Sequence, residues 1–113
     1  MSYSNLKRVD LIFDKECNPK EIIINTWAKS NDQIINELLE SGLKGRGGAG
    51  FPTALKWKYT AEQSAPDKYI ICNADEGEPG TFKDREILFK VPQKVFGGMT
   101  VGAKVIGAKE GFL

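Results

Sequence analysis

The sequence predicts an α/β domain with a glycine-rich loop set between helices, distinct from a classical Rossmann unit. Three observations carry that expectation. A capped amphipathic helix, rather than a strand, runs into the glycine loop at Gly42. Beyond the loop, Lys68 to Asn73 reads KYIICN, a short apolar run bounded by turn signals and therefore a strand. Pro92 to Gly107 then reads as a helix whose glycines permit close packing against a sheet.

The 113 residues, 41% hydrophobic and 27% charged, suit one soluble domain with a single core. All 12 glycines lie at or after Gly42, dividing the chain into a glycine-free scaffold, residues 1–41, and a chemistry-bearing portion, residues 42–113. In the scaffold, Ser30 and Gln33 form a capping-box pattern, and Ile34, Ile35, Leu38 and Leu39 form an apolar stripe that Gly42 ends. This predicts a helix over residues 31–41. Glu21 to Trp27 holds three consecutive isoleucines, which fit either a short strand or a helix. Pro52 suits a first helical turn, so a short helix is expected from the loop to near Pro66. GEPGTF is a turn, Asp84 to Phe89 a helical turn, and Gly111 to Leu113 the opening of a strand.

A net charge of +1 provides no overall field for nucleic acid or an anionic membrane, so neither is an expected partner. Two cysteines and no histidine exclude a zinc finger, a disulfide framework and an iron–sulfur cluster on this chain. Cys72 is expected as a buried thiol and Cys17 in a loop. The opening MSYSNLKRVDLIFDKE lacks a positive leader followed by an apolar core, so no signal or transit peptide is expected. No run reaches the ~20 apolar residues of a membrane span, so direct insertion is not expected either. A cytoplasmic setting follows, with peripheral attachment to the cytoplasmic face of a membrane complex left open.

Charge is distributed unevenly along the chemistry-bearing portion. From Gly42 to Thr60, GLKGRGGAGFPTALKWKYT combines glycines with Lys44, Arg46, Lys56 and Lys58 and holds no acid, an anion-cradle composition. GRGGAG matches GxGxxG, but the preceding helix disfavours a dinucleotide fingerprint and no GK[ST] makes it a Walker loop. A loop opening onto a helix amino terminus remains, suited to phosphate; its bland alternative is a flexible connector. Phe51 and Tyr59 offer rings for stacking, whereas Leu55 and Trp57 read as core. After the strand, Asn73, Asp75, Glu76 and Glu78 sit where open α/β sheets place ligand contacts. They suit sugar hydroxyls and ring N–H groups, with a divalent metal, acid–base work or a solvated turn as alternatives. Lys83, Asp84 and Arg85 read as surface charges or local ion pairs.

Taken together, GLKGRGGAGFPTALKWKY and YIICNADEGEPGTFKDREIL resemble the NADH-binding flavoprotein subunit of respiratory complex I and its relatives in NAD-linked hydrogenases and formate dehydrogenases, from about Ser41 to Leu113. Ala54 and Gly77 depart modestly from that pattern, where relatives often carry glycine and serine. The resemblance implies a partial FMN-binding α/β sandwich and an NADH:acceptor oxidoreductase that passes hydride to FMN and electrons onward to iron–sulfur clusters. By position, it implies that Gly45, Arg46, Gly47 and Lys56 meet the FMN phosphate side, with Gly48, Ala49 and Gly50 allowing close backbone approach. It implies that Asn73, Asp75 and Glu76 bind ribityl or ring groups, and that Phe51, Glu78 and Tyr59 contact NADH. No catalytic acid or base and no metal ligand is expected, because hydride transfer depends on ring alignment. Expected partners are NADH and iron–sulfur subunits of an electron-transfer complex. The family continues into a second half that completes the pocket, so a lone chain of this length is expected to bind FMN weakly or not at all unless another polypeptide completes the site, and to be inactive. The alternative is a non-catalytic nucleotide-binding or assembly module.

Overall fold

A computed structural model describes residues 10–14 and 17–113. Most of the opening segment read above for a leader lies outside the described residues. The elements follow in the order α1 (Pro19–Trp27), α2 (Asn31–Ser41), α3 (Thr53–Ala61), β1 (Tyr69–Ile71), α4 (Lys83–Lys90), α5 (Pro92–Ile106) and β2 (Glu110–Phe112). Around the glycine loop the architecture is helical; a two-stranded parallel sheet completes it among the described residues.

Local hydrogen bonding accounts for most element boundaries. Asn18 caps α1, its side-chain oxygen accepting from the backbone N–H groups of Lys20 and Glu21, and Pro19 fills the first turn. The Glu21–Trp27 segment is thus helical, despite its isoleucine run. In α2, Ser30 Oγ accepts from Gln33 N–H at 3.2 Å and Gln33 Oε1 accepts from Ser30 N–H at 2.8 Å, while Gly42 at φ 70° closes the helix. Ile34 and Ile35 are buried and Leu38 packs partly against the core, but Leu39 faces solvent. α3 ends at Ala61, short of Pro66, and Asp84 to Phe89 extends into the two-turn helix α4.

Helix α5 is the hub. It packs against the other four helices and both strands. Ile34, Ile35, Ala54 and Val105 form the core where α2, α3 and α5 meet, with Leu38, Trp57 and Val101 packed around them. Each fully buried aliphatic side chain there contributes about 1.5–3 kcal/mol. Lys104 staples the scaffold to α5: its Nζ donates to Lys29 O at 3.0 Å and Asn31 Oδ1 at 3.1 Å.

β1 and β2 pair in parallel, with Ile70 opposite Gly111, and α4 and α5 make the crossover that parallel pairing requires. Cys72 N–H continues the ladder, donating to Phe112 O at 2.8 Å. Cys72 itself is partly buried rather than enclosed, because it stands where the strand leaves the sheet.

Candidate functional site

The glycine stretch is tied at its neck. Lys44 and Pro52 form an antiparallel bridge, Gly45 N–H donates to Phe51 O at 2.9 Å, and Thr53 N–H donates to Leu43 O at 3.1 Å. Between these ties the chain makes a small lasso whose closing residue, Gly50, has φ 66°. A β-carbon at Gly47 or Gly48 would meet nothing within 4 Å, so backbone there is open to approach. The lasso leads straight into α3, whose N-cap Pro52 supplies no side-chain cap. The positive end of that helix therefore lies at the neck of the lasso, where Thr53 N–H is already taken by Leu43 O.

Beside the neck lies a hollow of about 440 Å³. Gly45 and Phe51 border it from the loop, Thr53, Lys56, Trp57 and Thr60 from α3, and Tyr69, Ile70 and Ile71 from β1, with Ile106 completing the lining. A second, shallower hollow adjoins it at the carboxyl end of β1, where Asn73 and Asp75 join Cys72, Ala74, Leu88 and Leu113. Ile71 is common to both. One strand end thus separates a cationic side from a carboxylate side.

Of the residues singled out in the sequence, Gly45, Phe51 and Lys56 line the first hollow and Asn73 and Asp75 the second. Arg46, Gly47, Gly48, Ala49, Gly50, Tyr59, Glu76 and Glu78 line neither. Phe51 is half exposed at the rim, and Arg46 stands out on the lasso. Asn73 folds back on its own turn, Oδ1 accepting from Asp75 N–H at 3.0 Å. Glu76 turns toward α4, where Oε1 accepts from the N–H groups of Asp84 at 2.7 Å and Arg85 at 3.1 Å. Asp75 and Glu78 carry no side-chain partner among the described residues. Those residues also contain no group of three potential metal ligands.

Three lining residues that carry a hydroxyl escaped the sequence reading. Thr53 and Thr60 lie three before and four after Lys56, the spacing that puts helix side chains on one face, so Lys56 already pointed to them. Tyr69 alternates with Ile71 along β1, and its ring packs on Phe112 at 5.9 Å between centroids. Trp57, expected in the core, packs against it and also borders the hollow.

The family model described as the Nuo51 FMN-binding domain matches residues 38–113. The alpha subunit of the NAD-reducing hydrogenase HoxS from Cupriavidus necator is 52% identical over 82 residues, which is 73% of this chain and 14% of that protein. The 51 kDa subunit of mitochondrial NADH-ubiquinone oxidoreductase from Neurospora crassa is 44% identical over 98 residues, 83% of this chain and 19% of that protein. Among solved structures, an NAD⁺-reducing [NiFe]-hydrogenase in the H₂-reduced state superposes with a TM-score of 0.79 at 42% identity, covering 92% of this chain and 19% of that one. The chain thus spans a fifth or less of the length of these relatives. Among its described residues, no helix is long and apolar enough to cross a membrane.

Proposed function

Since the chain belongs to the family of the Nuo51 FMN-binding domain, we propose that it forms part of an NADH:acceptor oxidoreductase flavoprotein whose two adjoining hollows hold FMN and admit NADH. The observation that carries this reading is the convergence of Gly45, Phe51 and Lys56 on one hollow that meets the Asn73 and Asp75 side at Ile71.

The residues present fit a flavin nucleotide. The more enclosed hollow, about 440 Å³, falls within the usual range of about 300–1,000 Å³ for small-molecule sites. Lys56 and the open lasso backbone suit a phosphate, and apolar β1 suits a planar ring. Gly45, Arg46, Gly47 and Lys56 take the phosphate side, while Gly48, Ala49 and Gly50 keep the backbone thin enough for close approach. Asn73 and Asp75 accept from ribityl hydroxyls or ring N–H groups. Phe51, Tyr59 and Glu78 receive NADH, Phe51 by stacking at the rim.

Bound FMN would supply hydride uptake and the release of two electrons one at a time. The chain's own residues bind, align and screen from water; none serves as acid or base, since ring alignment limits such a transfer. Iron–sulfur subunits of a multi-subunit complex are the electron acceptors, at the cytoplasmic face of a membrane in the complex I arrangement. In this scheme residues 1–41 act as scaffold and residues 42–113 as the first portion of an α/β sandwich of non-Rossmann type.

The test is direct. The complete subunit should purify with flavin absorbance that bleaches on adding NADH, and Lys56→Ala should weaken FMN retention ten- to hundredfold, corresponding to about 1.5–3 kcal/mol for a lost hydrogen bond to a charged group. A colourless complete subunit would favour the assembly-module alternative and overturn the redox assignment.

A further inference from the structure

Helix α4 lacks a cap of its own. Its N-cap residue, Phe82, sits at φ −149° and ψ 1° and offers no side-chain acceptor. The acceptor comes instead from Glu76, whose Oε1 takes the N–H of Asp84 at 2.7 Å and of Arg85 at 3.1 Å. A carboxylate oxygen against the first turn of a helix is favoured by both charge-assisted hydrogen bonding and the dipole. Inside this closure the turn is further pinned, Thr81 Oγ1 donating to Glu78 O at 2.6 Å and Gly80 taking φ 82°. Asp75 directly precedes Glu76, and Glu78 lies two residues beyond it. The two unpartnered carboxylates of the turn therefore straddle the one that is tied down.

From this arrangement we propose that Glu76 is a positioning residue: it latches the Asn73–Thr81 turn to α4 and so sets where Asp75 and Glu78 stand, rather than contacting the ligand itself. The inference rests on the flavin and NADH reading above. It assigns Glu76 a different task from that of its two neighbours. Because α4 runs into α5, and α5 carries β1, the latch references the turn to the same framework that shapes both hollows.

Glu76→Gln and Glu76→Ala in the complete subunit separate latch from contact. Glutamine keeps an oxygen for the two amides and loses only the charge, so amide exchange at Asp84 and Arg85 and the KM for NADH should stay within about fivefold of the parent. Alanine removes the acceptor, so exchange at those amides should rise about tenfold or more. The KM for NADH should rise with it, while kcat changes far less. Unchanged exchange in Glu76→Ala would overturn the latch. A Glu76→Gln variant as impaired in KM as Glu76→Ala, with both amides still protected, would mean that the carboxylate acts on the ligand and would overturn the positioning role. Faster exchange in Glu76→Ala with KM and flavin retention unmoved would overturn it as well. The failure of the parent reading is visible separately, as a Glu76-containing subunit that neither holds flavin nor bleaches.

Discussion

A β-carbon placed on Gly102 would stand 3.0 Å from Cδ1 of Ile70, so helix α5 and strand β1 meet closely enough that any side chain at 102 would make its neighbours give way. The ring of Trp57 would be 3.1 Å from the same atom, and on the neighbouring strand a β-carbon at Gly111 would come within 2.8 Å of Ile70 Cγ2. Ile70 is therefore clasped between two glycines. Gly102→Val should destabilise the fold by about 1–3 kcal/mol through overpacking, read as a lower urea midpoint. Gly102→Ala should cost less, since alanine regains about 1 kcal/mol of helix propensity. An unchanged midpoint for the valine variant would mean that the contact has slack.

The lasso separates backbone strain from ligand approach. Gly50 at φ 66° requires a left-handed conformation, and Gly50→Ala should cost about 1–2 kcal/mol of stability. Gly47 has ordinary φ and open surroundings, so Gly47→Ala should leave the unfolding midpoint in place while lowering FMN retention in the complete subunit. Full retention in Gly47→Ala would show that the ligand does not approach this backbone.

Glu78 and Lys56 should divide the two nucleotides between them. Glu78 is exposed and its carboxylate has no partner among the described residues, so Glu78→Gln should raise the KM for NADH and leave flavin content nearly intact. Equal loss of flavin and NADH binding would refute that division.

Acid should weaken α4 in a defined direction. The Lys90 ammonium, 2.9 Å from Glu86, holds the Glu86 carboxyl below its ordinary value of 4.5. A carboxyl whose folded pKa is depressed contributes stability that is present above the unfolded value and is lost as pH falls through the folded one. The parent protein should therefore lose stability slightly more steeply than Glu86→Gln as pH drops below 4.5. The difference should be small, because the pair is solvent-exposed and screened. Superimposable acid titrations of the two proteins would show that the pair contributes nothing.

Features closed within a few residues were legible in the chain. Ser30 and Gln33 bound α2 together with Gly42 because each makes its hydrogen bonds to its own first or last turn, and KYIICN declared a strand by composition and flanking turns. Helix α1 was legible in principle from Asn18 and Pro19, yet the three isoleucines after them carry equal strand character and masked the cap. The glycine lasso and its cations were likewise plain in the sequence, since flexibility and charge are properties of the residues themselves.

Sequence alone determined the inventory: an anion-suited loop, a carboxylate-rich turn and a strand between them, each specified by local chemistry. Tertiary structure alone decided the arrangement. The grip of Gly102 and Gly111 on Ile70 and the meeting of Lys56 with Tyr69 across one hollow depend on how α3, α5 and β2 lie against β1. That crossing is set by packing between residues far apart in the chain, where many side chains fill a shared volume, and no local spacing encodes it.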